Sequence, residues 1–193
     1  MELLTKNIDS YILTGGQSRR FGSNKSLYKI NEHSFIDLIK NTLTPVFRNV
    51  YIVGKENIDE NEFYLKDLFE SQTPLVGLIT ILKHCLNDWC FVISVDMPFI
   101  NSLVIQKLFY SIDNKYDIIL PKINGKKMPL CAFYKKNNFE IILKSFKSGD
   151  YRLFNSIQSR KILEVVFADN LIELSNINTK SELSKILDNK SNL

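Results

Sequence analysis

The sequence predicts an α/β layer fold, and three observations carry that prediction. Short apolar runs alternate with segments whose apolar residues recur at helical spacing, which fits neither a helix bundle nor a sandwich. Several of these runs stop on chain breakers: Ile8 to Thr14 on Gly15 and Gly16, Val50 to Val53 on Gly54, Trp89 to Val95 on Asp96-Met97-Pro98. The composition, 45% apolar and 24% charged over 193 residues, is that of one globular domain. A chain of this length buries roughly 70% of the surface it exposes when unfolded. We read residues 1–193 as a single domain without repeat or linker.

Ile8 to Thr14 is the first strand. From Ser34, the set Phe35, Ile36, Ile39, Leu43, Val46 and Phe47 shares one helical face, with Ser34 as N-cap, Asp37 three residues on and Pro45 near the end. Val50 to Val53 gives the next strand, and Phe63 to Leu68 a short one. Leu75 to Leu86 opens after Pro74; its β-branched residues also suit a strand, but its length favours a helix. Trp89 to Val95 is the clearest buried strand. A helix from Asn101 to Tyr110 precedes a strand at Asp117 to Leu120, and Asn124-Gly125 predicts a tight turn into a returning strand, Met128 to Tyr134. Helical segments near Asn138 to Phe146 and Arg152 to Ser159 lead to a strand at Ile162 to Phe167. Thr179 and Glu182 have capping-box spacing before Leu183, Ile186 and Leu187, marking a last helix; the polar end, Asp188 to Leu193, is expected to fray.

Lys plus Arg is 25 against 21 for Asp plus Glu, and the resulting +4 is scattered, so no basic stripe argues for nucleic acid. Cys85, Cys90 and Cys131 form neither a C-x-x-C pair nor an even disulfide framework; they read as buried or free thiols of a reducing compartment, with no structural zinc. The longest apolar stretches, Leu75 to Leu82 and Cys90 to Val95, fall short of the ~20 residues that span a bilayer. Glu2 and Asp9 interrupt any signal-peptide pattern. A cytoplasmic protein with no membrane and no nucleic-acid partner is expected. His33 and His84 lack metal-ligand spacing, and Cys131 and Trp89 read as core.

The densest chemistry lies just after the first strand, in Leu13-Thr14-Gly15-Gly16-Gln17-Ser18-Arg19-Arg20-Phe21-Gly22-Ser23-Asn24-Lys25. Glycines let backbone N–H groups approach a phosphate chain, and Arg and Lys offset its charge. A solvated surface turn would account for one glycine and one lysine but not for this density. Neither common phosphate loop is met: Ser23, not Lys, follows Gly22, and Gly15-Gly16 with Gly22 does not make G-x-G-x-x-G. Asp96 stands at the carboxyl end of a buried strand, where open α/β sheets bind ligands, and its hard oxygens suit Mg²⁺ held together with phosphates. As a residue type alone it serves equally as a turn-forming Asp before proline.

This loop resembles the signature L-x-G-G-x-S-x-R-x-G-x-x-K of the molybdenum cofactor guanylyltransferases, and every fixed position is present. The resemblance continues through Pro74-Leu75-Val76-Gly77, Asp96 with Pro98, Pro129-Leu130-Cys131-Ala132-Phe133-Tyr134, and Asn176-Ile177-Asn178-Thr179, so it covers nearly the whole chain in order. It implies a three-layer α/β/α domain of glycosyltransferase-A-like nucleotidyltransferase fold with a mostly parallel sheet. The nucleotide half would be about 1–100 and the acceptor half about 101–190.

By the same resemblance the reaction joins GMP from GTP to molybdenum-bound molybdopterin and releases pyrophosphate. Leu13, Thr14, Gly15, Gly16, Ser18, Gly22, Lys25, Asp67 and Gly77 would bind the nucleotide. Arg19, Lys25 and Asp96 would be catalytic, with Asp96 on Mg²⁺ (Mn²⁺ as a substitute), and Arg152, Asn176 and Asn178 would seat the acceptor. Besides GTP and molybdenum-molybdopterin, the partners implied are cofactor-delivery proteins or molybdoenzyme chaperones. Asp67 lies near the family's nucleotide-contacting acid, with a spacer one residue shorter. The chain departs from the family pattern at Thr14, usually alanine, at Phe21, commonly methionine, and at Val53-Gly54-Lys55, where asparagine is frequent. The competing functions are a cytidylyltransferase for the same cofactor, a sugar-phosphate nucleotidyltransferase, and a nucleotide-binding protein without chemistry.

Overall fold

The structure, a computed structural model, describes residues 7–15, 25–57 and 63–191, with side chains to residue 188. The strands are β1 (Ser10–Leu13), β2 (Lys29–Ile30), β3 (His33–Ser34), β4 (Val50–Gly54), β5 (Tyr64–Lys66), β6 (Trp89–Ser94), β7 (Ile118–Ile123), β8 (Lys126–Lys127), β9 (Cys131–Lys135) and β10 (Ile162–Val166). The α-helices are α1 (Phe35–Leu43), α2 (Pro74–His84), α3 (Ser102–Phe109), α4 (Phe139–Lys147), α5 (Leu153–Ile157) and α6 (Lys180–Ser191).

The main sheet runs β10-β7-β9-β6-β1-β4-β5, with β8 beside β7. The β6-β1-β4-β5 side and the β10-β7 pair are parallel; β9 is reversed between β6 and β7. The mostly parallel three-layer fold expected from the sequence is the one found.

Alternation along each strand divides the core into two faces. Ile12, Phe91, Ile93, Cys131 and Phe133 point into the layer that holds α1, Val104, Ile105 and Leu183. Tyr11, Leu13, Cys90, Val92, Ala132 and Tyr134 point into the layer of α2, Ile142 and Ile157. Each fully buried Leu, Ile, Val or Phe contributes roughly 1.5–3 kcal/mol, so both layers hold the sheet. Helix α2 is buried on every side from Leu75 to Leu82, which explains its lack of apolar periodicity. Thr73 caps it and Pro74 occupies its first turn.

The Ser34–Asp37 capping box forms as expected: Asp37 N donates to Ser34 Oγ (3.1 Å) and Ser34 N to Asp37 Oδ2 (2.9 Å). Two boundaries differ from the sequence reading. Strand β7 continues through Pro121, because its pairing with β9 ends at Ile119 and no N–H is wanted from the proline on that side. The returning strand is split: Asn124 and Gly125, both at positive φ, turn the chain into β8, Met128–Leu130 leave the ladder, and β9 resumes at Cys131. Helix α6 runs to Ser191, past the Asp188 where the polar end begins. The β2–β3 hairpin, turned at Asn31 with φ 57°, is an element the sequence reading lacked.

Among the described residues, no helix is long and apolar enough to cross a membrane.

Candidate active site

The carboxyl ends of β1, β4, β5 and β6 lie side by side, and backbone bonds carry the order beyond the strands. Thr14 N donates to Val53 O (2.9 Å), Val95 N to Leu13 O (3.0 Å) and Asp67 N to Gly54 O (2.8 Å). Leu13, Thr14, Asp67 and the approach to Asp96 are therefore set along one edge, where an α/β sheet offers its ligand crevice.

Two glycines show how tightly this edge is built. A Cβ at Gly77, in α2, would overlap the Leu13 side chain and stand 3.7 Å from Asp67 Oδ1; one at Gly15 would stand 3.9 Å from Asp67 Oδ2. Leu13, Thr14, Gly15, Asp67 and Gly77, five of the residues expected to bind the nucleotide, are thus brought together. A Cβ at Gly54 would overlap Thr14 Oγ1, whose hydroxyl donates to Val53 O (3.0 Å). The Thr14 and Gly54 departures, separate in the sequence, are one packing arrangement: the threonine occupies the space a side chain at 54 would need.

A second group gathers from three distant parts of the chain. Lys25, 7% exposed on a 3-10 turn over Lys25–Leu27, donates through Nζ to Asn178 Oδ1 (3.3 Å) and lies 4.0 Å from Asp96 Oδ2. Ile177 N donates to Asp96 O (2.8 Å), which fixes the Asn176–Asn178 segment on the turn after β6. Burial pushes the Lys25 ammonium below its ordinary value, while Asp96 and Glu182 pull it back up.

Asp67 Oδ1 and Asp96 Oδ1 are buried without a hydrogen-bond partner among the described residues. Burial raises the Asp67 carboxyl; the Lys55 cation opposes this and Glu70 adds to it. The Lys55 ammonium is itself engaged by Glu70, donating to its carbonyl and standing 3.8 Å from its Oε2. No cluster of three or more His, Cys, Asp or Glu side chains exists among the described residues. A lone buried carboxylate oxygen beside a cation fits Mg²⁺, which takes one or two carboxylates and fills its shell with phosphate and water.

The acceptor residues divide. Asn178 meets Lys25, and Asn176 lies exposed in the same segment. Arg152 stands apart from that pair: its side chain is 78% exposed and bonded through Nε to Asp150 Oδ1 (3.2 Å). Its neighbour Tyr151 accepts at O from Thr73 Oγ1 (3.0 Å), placing this turn at the start of α2. Gly16, Ser18, Arg19, Phe21 and Gly22 lie outside the described residues. Cys131 and Trp89 are buried, and His84 closes α2 with Nδ1 3.1 Å from Tyr11 Oη. Glu182, read from sequence only as half of a capping box, also accepts from Asn178 N (2.6 Å).

The model of the MobA-like NTP transferase domain matches residues 10–164. A Clostridium perfringens protein named probable molybdenum cofactor guanylyltransferase is 32% identical over 191 residues, covering 93% of this chain and 96% of its own. A solved Aquifex aeolicus protein is 31% identical with a TM-score of 0.78, covering 92% of this chain and 97% of its own. The Archaeoglobus fulgidus molybdopterin-guanine dinucleotide biosynthesis protein A shares the fold at a TM-score of 0.81 and 21% identity, over 96% of this chain and 100% of its own. Likeness over nearly the whole chain shows that the protein belongs to the MobA-like NTP transferase family of nucleotidyltransferases.

Proposed function

We propose that this chain transfers the guanylyl group of GTP to the terminal phosphate of molybdenum-bound molybdopterin, releasing pyrophosphate. The observation that carries the reading is the meeting of Lys25, Asp96 and Asn178 at the carboxyl end of the sheet, with one Asp96 oxygen buried and unpartnered.

A phosphate oxygen of the acceptor forms a bond to the α-phosphorus of GTP, and the bond to the bridging oxygen of pyrophosphate breaks. The acceptor is already an oxygen anion, so no covalent enzyme intermediate is needed; the task is alignment and charge compensation. Lys25 and the loop arginines, Arg19 and Arg20, of which Arg20 holds the fixed position of the signature, would offset charge on the α-phosphate as it becomes five-coordinate. Gly15, Gly16, Ser18 and Gly22 would form the backbone cradle of the triphosphate. Asp96 would hold Mg²⁺ (or Mn²⁺), which when bound supplies positive charge to phosphate oxygens.

Leu13, Thr14, Asp67 and Gly77 would line the nucleoside position. The buried, unpartnered Asp67 oxygen suits the N1–H and N2–H donors of guanine, whereas cytosine would leave it less well paired. Arg152, Asn176 and Asn178 would seat the acceptor, brought by cofactor-delivery proteins or molybdoenzyme chaperones.

The test is a panel of GTP, CTP, ATP and UTP with Mg²⁺ and molybdenum-loaded molybdopterin, read as dinucleotide product and pyrophosphate. GTP should be preferred by at least about 100-fold, the discrimination expected when a wrong base leaves buried polar groups unpaired. Preference for CTP overturns the guanylyl assignment. Tight GTP binding without pyrophosphate release overturns the enzymatic one.

A further inference from the structure

We propose that Glu182 is a positioning residue for the reaction: by holding the backbone of Asn178 and Thr179 it sets Asn178 against the Lys25 ammonium. The inference rests on the reading of Lys25, Asp96 and Asn178 as the reactive face and extends it to a residue in the first turn of α6 that touches none of the reacting groups.

Glu182 Oε2 accepts from Asn178 N (2.6 Å) and from Thr179 N (3.0 Å), while Glu182 N donates to Thr179 Oγ1 (3.1 Å). The last two bonds are an ordinary capping box and need nothing beyond the helix start. The first is additional and the shortest of the set. It falls on the residue whose side-chain oxygen accepts from Lys25 (3.3 Å). On the other side of Asn178, Ile177 N is tied to Asp96 O (2.8 Å), and the Ile177 side chain is fully buried. Leu183, one residue past Glu182, is also buried and anchors the turn on the core.

Asn178 is thus held from both directions, by Asp96 through one neighbour and by the Glu182 carboxylate at its own amide. The exposed Asn178 side chain lies between these two ties and reaches the lysine as a consequence of them. The α6 start is therefore coupled to the turn after β6 and to the end of the nucleotide loop, three segments far apart in sequence.

The experiment compares the full chain with Glu182→Ala, Glu182→Gln, Asn178→Ala and the double variant Glu182→Ala/Asn178→Ala. Two readouts are taken: turnover, and labelling of Lys25 by trace acetic anhydride followed by mass spectrometry without substrates. Glu182→Ala should lower kcat roughly tenfold with KM for GTP little changed, a loss confined to alignment in the transition state. It should also raise Lys25 labelling several-fold, as Asn178→Ala should. Glu182→Gln keeps the acceptor oxygen and should restore turnover and bring Lys25 labelling most of the way back, short of the parent only by the charge that Glu182 lends the lysine; rescue of kcat separates positioning from electrostatics. The double variant should be no slower than Asn178→Ala, because the two residues act as one unit.

Unchanged Lys25 labelling in Glu182→Ala overturns the proposal, as does a melting-temperature loss with unaltered kcat, the signature of a helix cap alone. Multiplicative losses in the double variant, or a Gln variant that behaves as Ala, overturn it too. The labelling measurement needs no nucleotide or acceptor, so failure of the substrate assignment would appear in turnover alone and leave this result distinct.

Discussion

The two ends of the sheet treat their aspartates in opposite ways. At the amino-terminal end, Asp9 before β1 accepts from Arg48 Nε (3.0 Å), Arg48 Nη2 (2.5 Å) and Asn49 Nδ2 (2.9 Å). Asp117 before β7 accepts from Asn137 Nδ2 (3.1 Å) and Lys161 N (3.2 Å) and pairs with Arg160 Nη2 (2.8 Å). At the carboxyl end, Asp67 after β5 and Asp96 after β6 each keep a buried oxygen with no partner among the described residues. A buried acceptor left unmade costs about 1–3 kcal/mol, so a fold that satisfies one row and not the other has spent stability at the second. The first pair of aspartates is bonded into the fold, and the second is the pair that the proposed reaction would use, although Asn87 Nδ2, before β6, is also buried without a partner among the described residues.

The largest effect that tests this division is at Asp96. Asp96→Asn should reduce turnover roughly 10²–10³-fold, the cost of removing one preorganised charge from a transition state. Its melting temperature should stay within about 2 °C of the parent, less than 1 kcal/mol for a chain of this size. A rate within about threefold of the parent would remove Asp96 from the reaction and break the comparison on its functional side.

Arg48→Leu probes the other end. It leaves Asp9, 2% exposed, with Asn49 as its side-chain donor, and should cost about 2 kcal/mol, read as a melting-temperature drop of about 4–8 °C. KM for GTP should not move. A loss of nucleotide affinity at full stability would show that the amino-terminal row is also functional.

Asp67→Asn should separate the two costs within one residue. Burial raises the Asp67 carboxyl in the fold, so the proton is held more tightly there than in the unfolded chain. The stability this gives is full below the unfolded value and lost as pH rises through the raised folded value, above which the parent lacks it. Above that raised value asparagine, which stays neutral, should raise the melting temperature by about 2 °C, while KM for GTP rises roughly tenfold as the carboxylate acceptor is lost. A variant both less stable and equally active would place Asp67 with Asp9 and Asp117.

The elements and part of the candidate site are legible in the sequence, but this contrast is not. Asp96 is visible because a run of apolar residues from Trp89 to Val95 delivers it to a strand end. The Gly15 turn and Lys25 are visible by their density, and the Ser34 and Thr179 caps by spacing. Long-range pairing was not legible. No local pattern says that β9 is reversed between β6 and β7, because strand propensity carries no partner information. Nor could spacing show that Thr14 fills the room denied to a side chain at Gly54, or that Asn178 reaches Lys25 while Arg152 does not. Those facts depend on which strand ends become neighbours. The two carboxylate rows also look alike in sequence, an aspartate beside an apolar run, and only the donors around them tell them apart.

The smallest expected effect states the comparison as a pair of pH curves. At Asp117 burial pushes the carboxyl up, but the bonds from Asn137 and Lys161 and the Arg160 charge outweigh it and hold the group below its ordinary value. The stability it lends is full above the unfolded value, about 3.9, and disappears as pH falls through the lower folded value. Asp117→Asn should therefore be less stable than the parent at neutral pH, by under about 1 kcal/mol for a pair near the surface, with the gap closing under acid. Asp67→Asn should behave as its mirror image: more stable than the parent above the raised folded value of that carboxyl, with its gap closing at a higher pH than that of Asp117→Asn. Urea unfolding of both variants across the acid range reads the two signs directly. Gaps of the same sign would mean that the two ends of the sheet hold their aspartates alike, and the division between structural and receptive carboxylates would fall.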